Sequence, residues 1–485
     1  MLWYAWRFSI SPALHPNEPA ELPYLIPFVG HLFSMFTGAS RLFSQGKKRF
    51  HNQPFSVTTM GQSMYIVTSP SAVVSIYKVP KAIDFDPIMP DFLRRYGLDQ
   101  AAISAIFRPH EGAGKSWLDG MLDNFKLQLH PGTRLDLLQD VLLKRIDHHL
   151  RWENLDGPMV KANGQHEKNV DVMEWVGTII IDAQTRALFD ASFFEACPDA
   201  ISQLMTFEEE GWKWPLDLPR FAARKMYESM EYVEKGLAEY FMLRKDKRNG
   251  ESWLIQTMSN SIDDLNLNAM QKAMTVFSIY RTVNANAYKQ VFWALSYILF
   301  DEHTLLHDLK TEIAPAFDTS DTLNLEYLFS SCPLLASACE EALRLTIWSV
   351  GARIVTKDTV IDGKTLRKGR NLLMTYRTMH FSPDVFGADA DTFNPTRFMN
   401  NKDLVKSPSY RPFGGASHYC PGRFVARKEV QMTVALILRR FDLEVVGEGG
   451  KPPKFPKMDD TLPSGGIQNP LSGQFLRVKV RPART

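Results

Sequence analysis

Cysteine is scarce: the 485 residues hold four, Cys197, Cys332, Cys339 and Cys420, with no pair at zinc-finger spacing. Such a set suggests neither a disulfide framework nor a structural zinc site, and a reducing compartment fits it best. An excess of charge of one sign is missing too. Lys plus Arg number 56 against 54 for Asp plus Glu, so no basic field marks a nucleic-acid binder, and small molecules become the expected partners. Long apolar runs are also lacking. The first residues, "MLWYAWRFSISPALHP", meet Arg7 within a turn or two, well short of the roughly 20 apolar residues that span a bilayer, and no secretory signal is visible. The body of the chain carries no internal repeat, low-complexity tract or flexible linker.

What is present is the composition of a large globular core: 45% hydrophobic, 12% aromatic and 23% charged residues. A cluster of prolines (Pro12, Pro16, Pro19, Pro23, Pro27) cannot continue a helix and reads as a stiff extended lead-in. Residues 1–30 are therefore taken as an N-terminal segment, a short or trimmed membrane anchor with a proline-rich hinge, ahead of one catalytic domain over 31–485. Apolar residues at three- and four-residue intervals predict helices over 134–150 and 170–189, and one long helix over 268–300. In that long helix Arg281 and Lys289 are expected to carry their charged heads out to solvent. Strand signals fall at 54–69, at 352–369 with a hairpin turn at Asp362 and Gly363, and in "QFLRVKVRP" near the C-terminus. The fold class is mainly α with small peripheral sheets.

One cysteine stands apart. In "YRPFGGASHYCPGRFVARKEV" (410–430) Cys420 lies in a Gly- and Pro-rich loop directly before a helical pattern. Gly414 and Gly415 allow a tight turn and close approach to a flat ligand, Phe413 can cover one side, and Gly422 keeps the other side free of bulk. Unpaired N–H groups at the start of the following helix would support a thiolate, which is what a soft metal requires of its ligand. "PFGGASHYCPGRFVA" resembles the haem-binding loop of the cytochrome P-450 superfamily: Phe, two residues, Gly, three residues, Cys, one residue, Gly. The match has one departure: Ala416 stands in place of the first glycine of that pattern, four residues before the cysteine.

Two more stretches carry the resemblance. "CEEALRLTIWSV" (339–350) places Glu341 and Arg344 on one helix face, and "DTFNPTRFMN" (391–400) contains Arg397; in the family these three form a structural Glu-Arg-Arg cluster. The resemblance implies the cytochrome P-450 fold, a long central helix over haem b. Cys420 would be the axial ligand of its iron, within a loop of Phe413, Gly414 and Gly422, with His418 and Arg353 toward the haem propionates. Segments that face substrate in the family are apolar or small here, and Val283, Thr346, Trp348, Val350 and Ile467 are the pocket candidates.

The long helix departs from the family pattern. Where most members carry an acid followed by threonine, this chain has Ala285 and Asn286, preceded by Asn284. Alanine has no polar atom and a carboxamide does not ionise, so proton delivery would need a water held by Asn284, Asn286 or the substrate itself. An asparagine followed by "FW" here, together with "CPGR", resembles the branch containing prostacyclin synthase and the bile-acid sterol hydroxylases, and its filamentous-fungal relatives. Three functions follow from the resemblance. The first is a monooxygenase acting on a lipophilic small molecule, a terpenoid, steroid-like compound or other secondary metabolite, with electrons passed from NADPH through a flavoprotein reductase. The second is a reductase-independent isomerase or dehydratase rearranging an oxygenated or endoperoxide substrate. The third is a haem-binding protein without turnover. The expected setting is peripheral contact with the cytoplasmic face of the endoplasmic reticulum membrane, as a monomer.

Overall fold

The alternating pattern of 54–69 folds into the hairpin it predicts, Phe55–Thr59 with Gln62–Val67, turning at Met60 and Gly61. The computed structural model describes residues 2–483 except 110–113, 165, 448–450 and 462–463. These residues form two compact units, the first made of Met1–Pro90, Leu343–Cys420 and Met458–Gln468. Its five-stranded sheet adds Asn371–Thr375 parallel to Gln62–Val67, then Val350–Val355 and Ile83–Asp84 antiparallel. Alternation gives the sheet two apolar faces. Phe55, Val57 and Ile66 pack with Leu42 and Phe43 of the helix Leu32–Arg49, while Val67, Leu372 and Met374 pack with Val73 and Ile76. The short hairpin of Thr359–Ile361 with Lys364–Leu366 turns at Asp362 and Gly363, both at positive φ as such a two-residue turn requires.

The N-terminal prolines do not all act as expected. Leu2–Leu14 is helical, with one wider π turn over Trp6–Ile10, and Pro12 sits in the first turn of Ser11–Leu14, where its missing N–H is harmless. Only the later prolines fall in non-helical chain. The helical stretch folds back on that chain, with the Trp3 and Phe8 rings 5.6 and 5.1 Å from Tyr24 and Arg7 Nε 2.6 Å from Glu21. Among the described residues no helix is long and apolar enough to cross a membrane.

The second unit (Asp91–Ala342, Pro421–Lys457, Asn469–Thr485) is mostly helical. At its centre α1 (Val172–Phe189) is capped by Asp171, whose side chain accepts from the Glu174 N–H at 3.1 Å. It is apolar nearly all round and buried nearly all round, as a core helix must be. Around it lie Thr133–His149, α2 (Ala200–Glu210), α3 (Ala269–Asn284) and α4 (Ala287–Leu299). The chain continues through α5 (Pro333–Thr346), which passes out of this unit after Ala342, and α6 (Arg423–Arg440). An antiparallel four-stranded sheet of Phe441–Val446, Arg477–Pro482, Lys168–Asp171 and Val160–Asn163 completes it.

The single helix expected over 268–300 is two helices. A capping box starts α3, with Asn268 accepting from the Gln271 N–H and Gln271 accepting from the Asn268 N–H. It stops at Asn284 because that side chain donates to the Tyr280 carbonyl at 2.9 Å, competing with the backbone for the acceptor four residues back. Asn286, at φ −122°, then takes the N-cap position of α4. Apolar periodicity runs through the interruption, which is why the pattern concealed it.

A buried acid sits in the core of this unit. Gln184 of α1 donates to Glu429 of α6 at 2.6 Å, and the other carboxyl oxygen of Glu429 is buried without a partner, as is the Gln184 carbonyl oxygen. Burial pushes the Glu429 carboxyl up to about 8 from 4.5, a rise that the Gln184 bond only partly offsets. Below pH 4.5 folded and unfolded chains both hold the proton. Between there and pH 8 the unfolded chain ionises first, so stability falls as pH rises. Glu429→Gln keeps the shape without the charge, and urea unfolding is expected to show equal stability at pH 4 and a gain of about 2–5 kcal/mol at pH 8. No gain at pH 8 would mean that the native carboxyl is ionised and compensated.

Candidate active site

Three of the four thiols are sealed. Burial pushes Cys197 up to about 12 and Cys332 up to about 11, and raises Cys339 as well, so all three stay protonated. Cys420 alone is half-buried. Its N–H donates to the Phe413 carbonyl at 3.0 Å and closes the loop. Gly414 is left-handed (φ +74°), and Gly415 lies so close to Tyr77 that an added Cβ would be 2.6 Å from the ring. Ala416 keeps the left-handed conformation (φ +56°) although it is not glycine. Two residues beyond Cys420, Gly422 is the N-cap of α6.

The loop is hung from a buried relay. Arg344, fully buried, donates to the carbonyls of His380 and Ala390, each at 2.7 Å. His380, also fully buried, accepts from the Arg411 N–H through Nε2 at 2.9 Å, at the start of the cysteine loop. Burial, and next the positive charges of Arg344 and Arg377, press His380 down to about 3, so it stays neutral and keeps that lone pair. Arg397, 7% exposed, donates to the carbonyls of Phe386 and Asp389 and to the Asp389 carboxylate. Both arginines also reach the Thr392 carbonyl, at 3.5 and 3.4 Å. Glu341 is fully buried on α5. Glu341 and Arg344 are thus both buried, which excludes the exposed surface pair that would be their plain reading.

Arg353 tests whether a carboxylate-bearing cofactor fits. Its guanidinium is buried, donates to the neighbouring Ala352 carbonyl and lies over the rings of Tyr77 and Phe85, with no carboxylate partner among the described residues. A buried cation without a counter-charge is costly, and an anionic group supplied from outside the chain removes the cost. His418 is near the same ring: its centroid is 4.9 Å from Phe85, and Nε2 is 3.2 Å from Asp86. Of the pocket candidates, Thr346, Trp348 and Ile467 are gathered by backbone pairing of 346–348 with 466–468 and are buried. Val350 is 37% exposed on its strand, and Val283 is half-buried on α3.

In the second unit the interruption is lined by Asn284, completely buried, whose Oδ1 has no partner. Ala285 is buried and Asn286 half-buried. Arg281 and Lys289 do not reach out to solvent. Arg281 Nε donates to Oε1 of Glu208 at 2.7 Å and Lys289 Nζ to Oε2 of the same carboxylate at 2.9 Å, with Lys289 only 3% exposed. Ion pairing inside the unit replaces snorkelling because a carboxylate from α2 is in reach. Burial would raise Glu208, but the two cations outweigh it and hold it down to about 2. Neither Glu208 nor His380 was among the sequence-derived candidates. Glu208 opens a run of three glutamates and His380 is a lone histidine, neither of them distinctive until its partners are seen.

The family description Cytochrome P450 matches residues 155–471, more than half of the chain. Cytochrome P450 monooxygenase poxD of Penicillium oxalicum is 26% identical over 472 residues, which cover 94% of this chain and 93% of the relative. Cytochrome P450 7A1 of Sus scrofa is 23% identical over 500 residues, 96% and 94% of the two chains. A bifunctional cytochrome P450/NADPH–P450 reductase of Alternaria alternata is 35% identical over 150 residues, 30% of this chain and 13% of that one.

The strain at Ala416 is measurable. A left-handed alanine costs about 1–2 kcal/mol, part of which glycine gives back through its larger unfolded-state entropy. Because Ala416 is exposed, its methyl group contributes little packing. Ala416→Gly is expected to stabilise the protein by about 0.5–1 kcal/mol in urea unfolding; a loss of stability would show that the conformation is not strained.

Proposed function

The chain belongs to the cytochrome P450 family, and we propose that this haem-dependent monooxygenase oxidises a lipophilic small molecule of the terpenoid, steroid-like or other secondary-metabolite class. Its cofactor is haem b, which when bound supplies oxygen–oxygen bond cleavage supported by a thiolate. Cys420 would hold its iron through the thiolate, in a loop shaped by Phe413, Gly414 and Gly422. Arg353 and His418 take the propionates, and the unpaired charge of buried Arg353 supports that role. Glu341, Arg344 and Arg397 are structural, and the many carbonyls gathered by the two arginines fit this reading. Thr346, Trp348, Val350 and Ile467 of the first unit contribute apolar surface for substrate, and Val283 of the second unit is a further substrate-facing candidate. Electrons come from an NADPH-dependent flavoprotein reductase, the activity named in the fused Alternaria relative. Exposed apolar side chains in the first unit, Leu2, Trp6, Leu14, Leu25, Phe28 and Phe33, suit peripheral contact with the endoplasmic reticulum membrane.

The observation that carries the oxygen chemistry is the interruption between α3 and α4. A buried carboxamide oxygen without a partner is costly and invites a water. Asn284 Oδ1 accepts one hydrogen of that water and Asn286 fixes its position, so that it relays protons in place of the acid and alcohol that this chain lacks. With reductase and NADPH, oxidation of steroid and terpenoid probes is expected in the wild type. Asn286→Ala is expected to raise the hydrogen peroxide released per NADPH severalfold. Turnover by the wild type without reductase would instead identify a rearranging enzyme, and an unchanged peroxide yield in the variant would remove Asn286 from the proton route.

A further inference from the structure

Arg281 and Lys289 stand four residues before and four residues after Ala285, on different helices, yet they share one carboxylate. In a regular helix positions eight apart differ by about 12 Å in rise and about 80° in direction. Both oxygens of Glu208 are used, one from each side of the interruption. The backbone that carries the carboxylate is tied as well. The Glu208 carbonyl accepts from Asn469 Nδ2 at 3.3 Å. Arg281 is also held from elsewhere, donating to Tyr96 Oη at 3.2 Å and lying over the rings of Phe207 and Trp214. A change in the rise or twist across Ala285 and Asn286 would pull one cation away from a buried carboxylate, at a high electrostatic cost. The clasp therefore resists regularisation of the helix.

We propose that Glu208 is a positioning residue: by holding Arg281 and Lys289 together it keeps the helix interrupted at Ala285 and Asn286, and so sets where the proton-relaying water is held. This rests on the monooxygenase reading for its consequence, but not for its geometry. It also gives the two cations a purpose that simple stability does not require, since a largely buried ion triad can often be replaced by apolar groups of similar volume without loss of stability.

Two variants of the holoenzyme test it. Glu208→Asp keeps the charge but shortens the reach, and the triple variant Arg281→Met, Glu208→Leu, Lys289→Met removes the ions while preserving volume. Both are expected to retain haem, the triple variant with the wild-type urea midpoint and Glu208→Asp with a lowered one. Hydrogen–deuterium exchange of amides within 281–290 is expected to quicken at least tenfold, with 172–189 and 423–440 unchanged. Peroxide released per NADPH, in the presence of reductase, is expected to rise severalfold. Unchanged exchange over 281–290 in Glu208→Asp, or exchange that rises equally everywhere, overturns the proposal, and that variant decides the matter if the triple variant does not fold. Faster local exchange with an unchanged peroxide yield overturns the positioning role too. Exchange is read without turnover, so failure of the monooxygenase reading, seen as turnover without reductase, remains distinguishable.

Discussion

Everything proposed for the cysteine loop depends on one buried guanidinium. Arg344 has no access to water, so its donors must all be satisfied within the fold, and they are spent on the carbonyls of the chain between His380 and Thr392. Arg397 draws on the same stretch from its far end. His380 then carries the constraint onward. Its carbonyl is held by Arg344 while its ring accepts from Arg411, and the charge that binds its backbone also keeps its ring neutral. The loop running from Arg411 to Cys420 is thus fixed at its base by buried and partly buried hydrogen bonds, and its left-handed turns at Gly414 and Ala416 can be tolerated because of that anchorage.

The second unit solves a different problem with the same means. A helix that lacks the usual acid and alcohol still departs from regular geometry at that place, through an asparagine that captures a backbone carbonyl. Two cations bracket the departure and share one buried carboxylate from another helix. In both units a charged group inside the protein fixes backbone geometry that apolar packing alone leaves free, because packing is tolerant of small shifts and a buried unpaired charge is not.

Much of the outline was legible in the sequence. The hairpins at 54–69 and around Asp362 and Gly363 followed from alternation and turn chemistry, and the helices over 134–150 and 170–189 from their period. Cys420 stood out through its glycines, and Glu341, Arg344 and Arg397 through their order along the chain. The interruption at Ala285 was not legible, since apolar spacing continues through it and the cause is a side chain turning back on its own helix. Nor was the burial of Arg281 and Lys289. A local pattern cannot report a carboxylate arriving from Glu208, on another helix and far earlier in the sequence. His380 was invisible for the same reason: a lone histidine acquires meaning only from Arg344 and Arg411 on either side.

The central claim is that Cys420 is the anionic axial ligand of haem iron. The most direct measurement is the carbon monoxide difference spectrum of the reduced holoprotein, taken beside that of Cys420→Ser. Thiolate ligation by Cys420 requires a strongly red-shifted Soret band in the wild type that is lost in the variant. A wild-type band of the histidine-ligated kind, or a thiolate band that survives in Cys420→Ser, would contradict it.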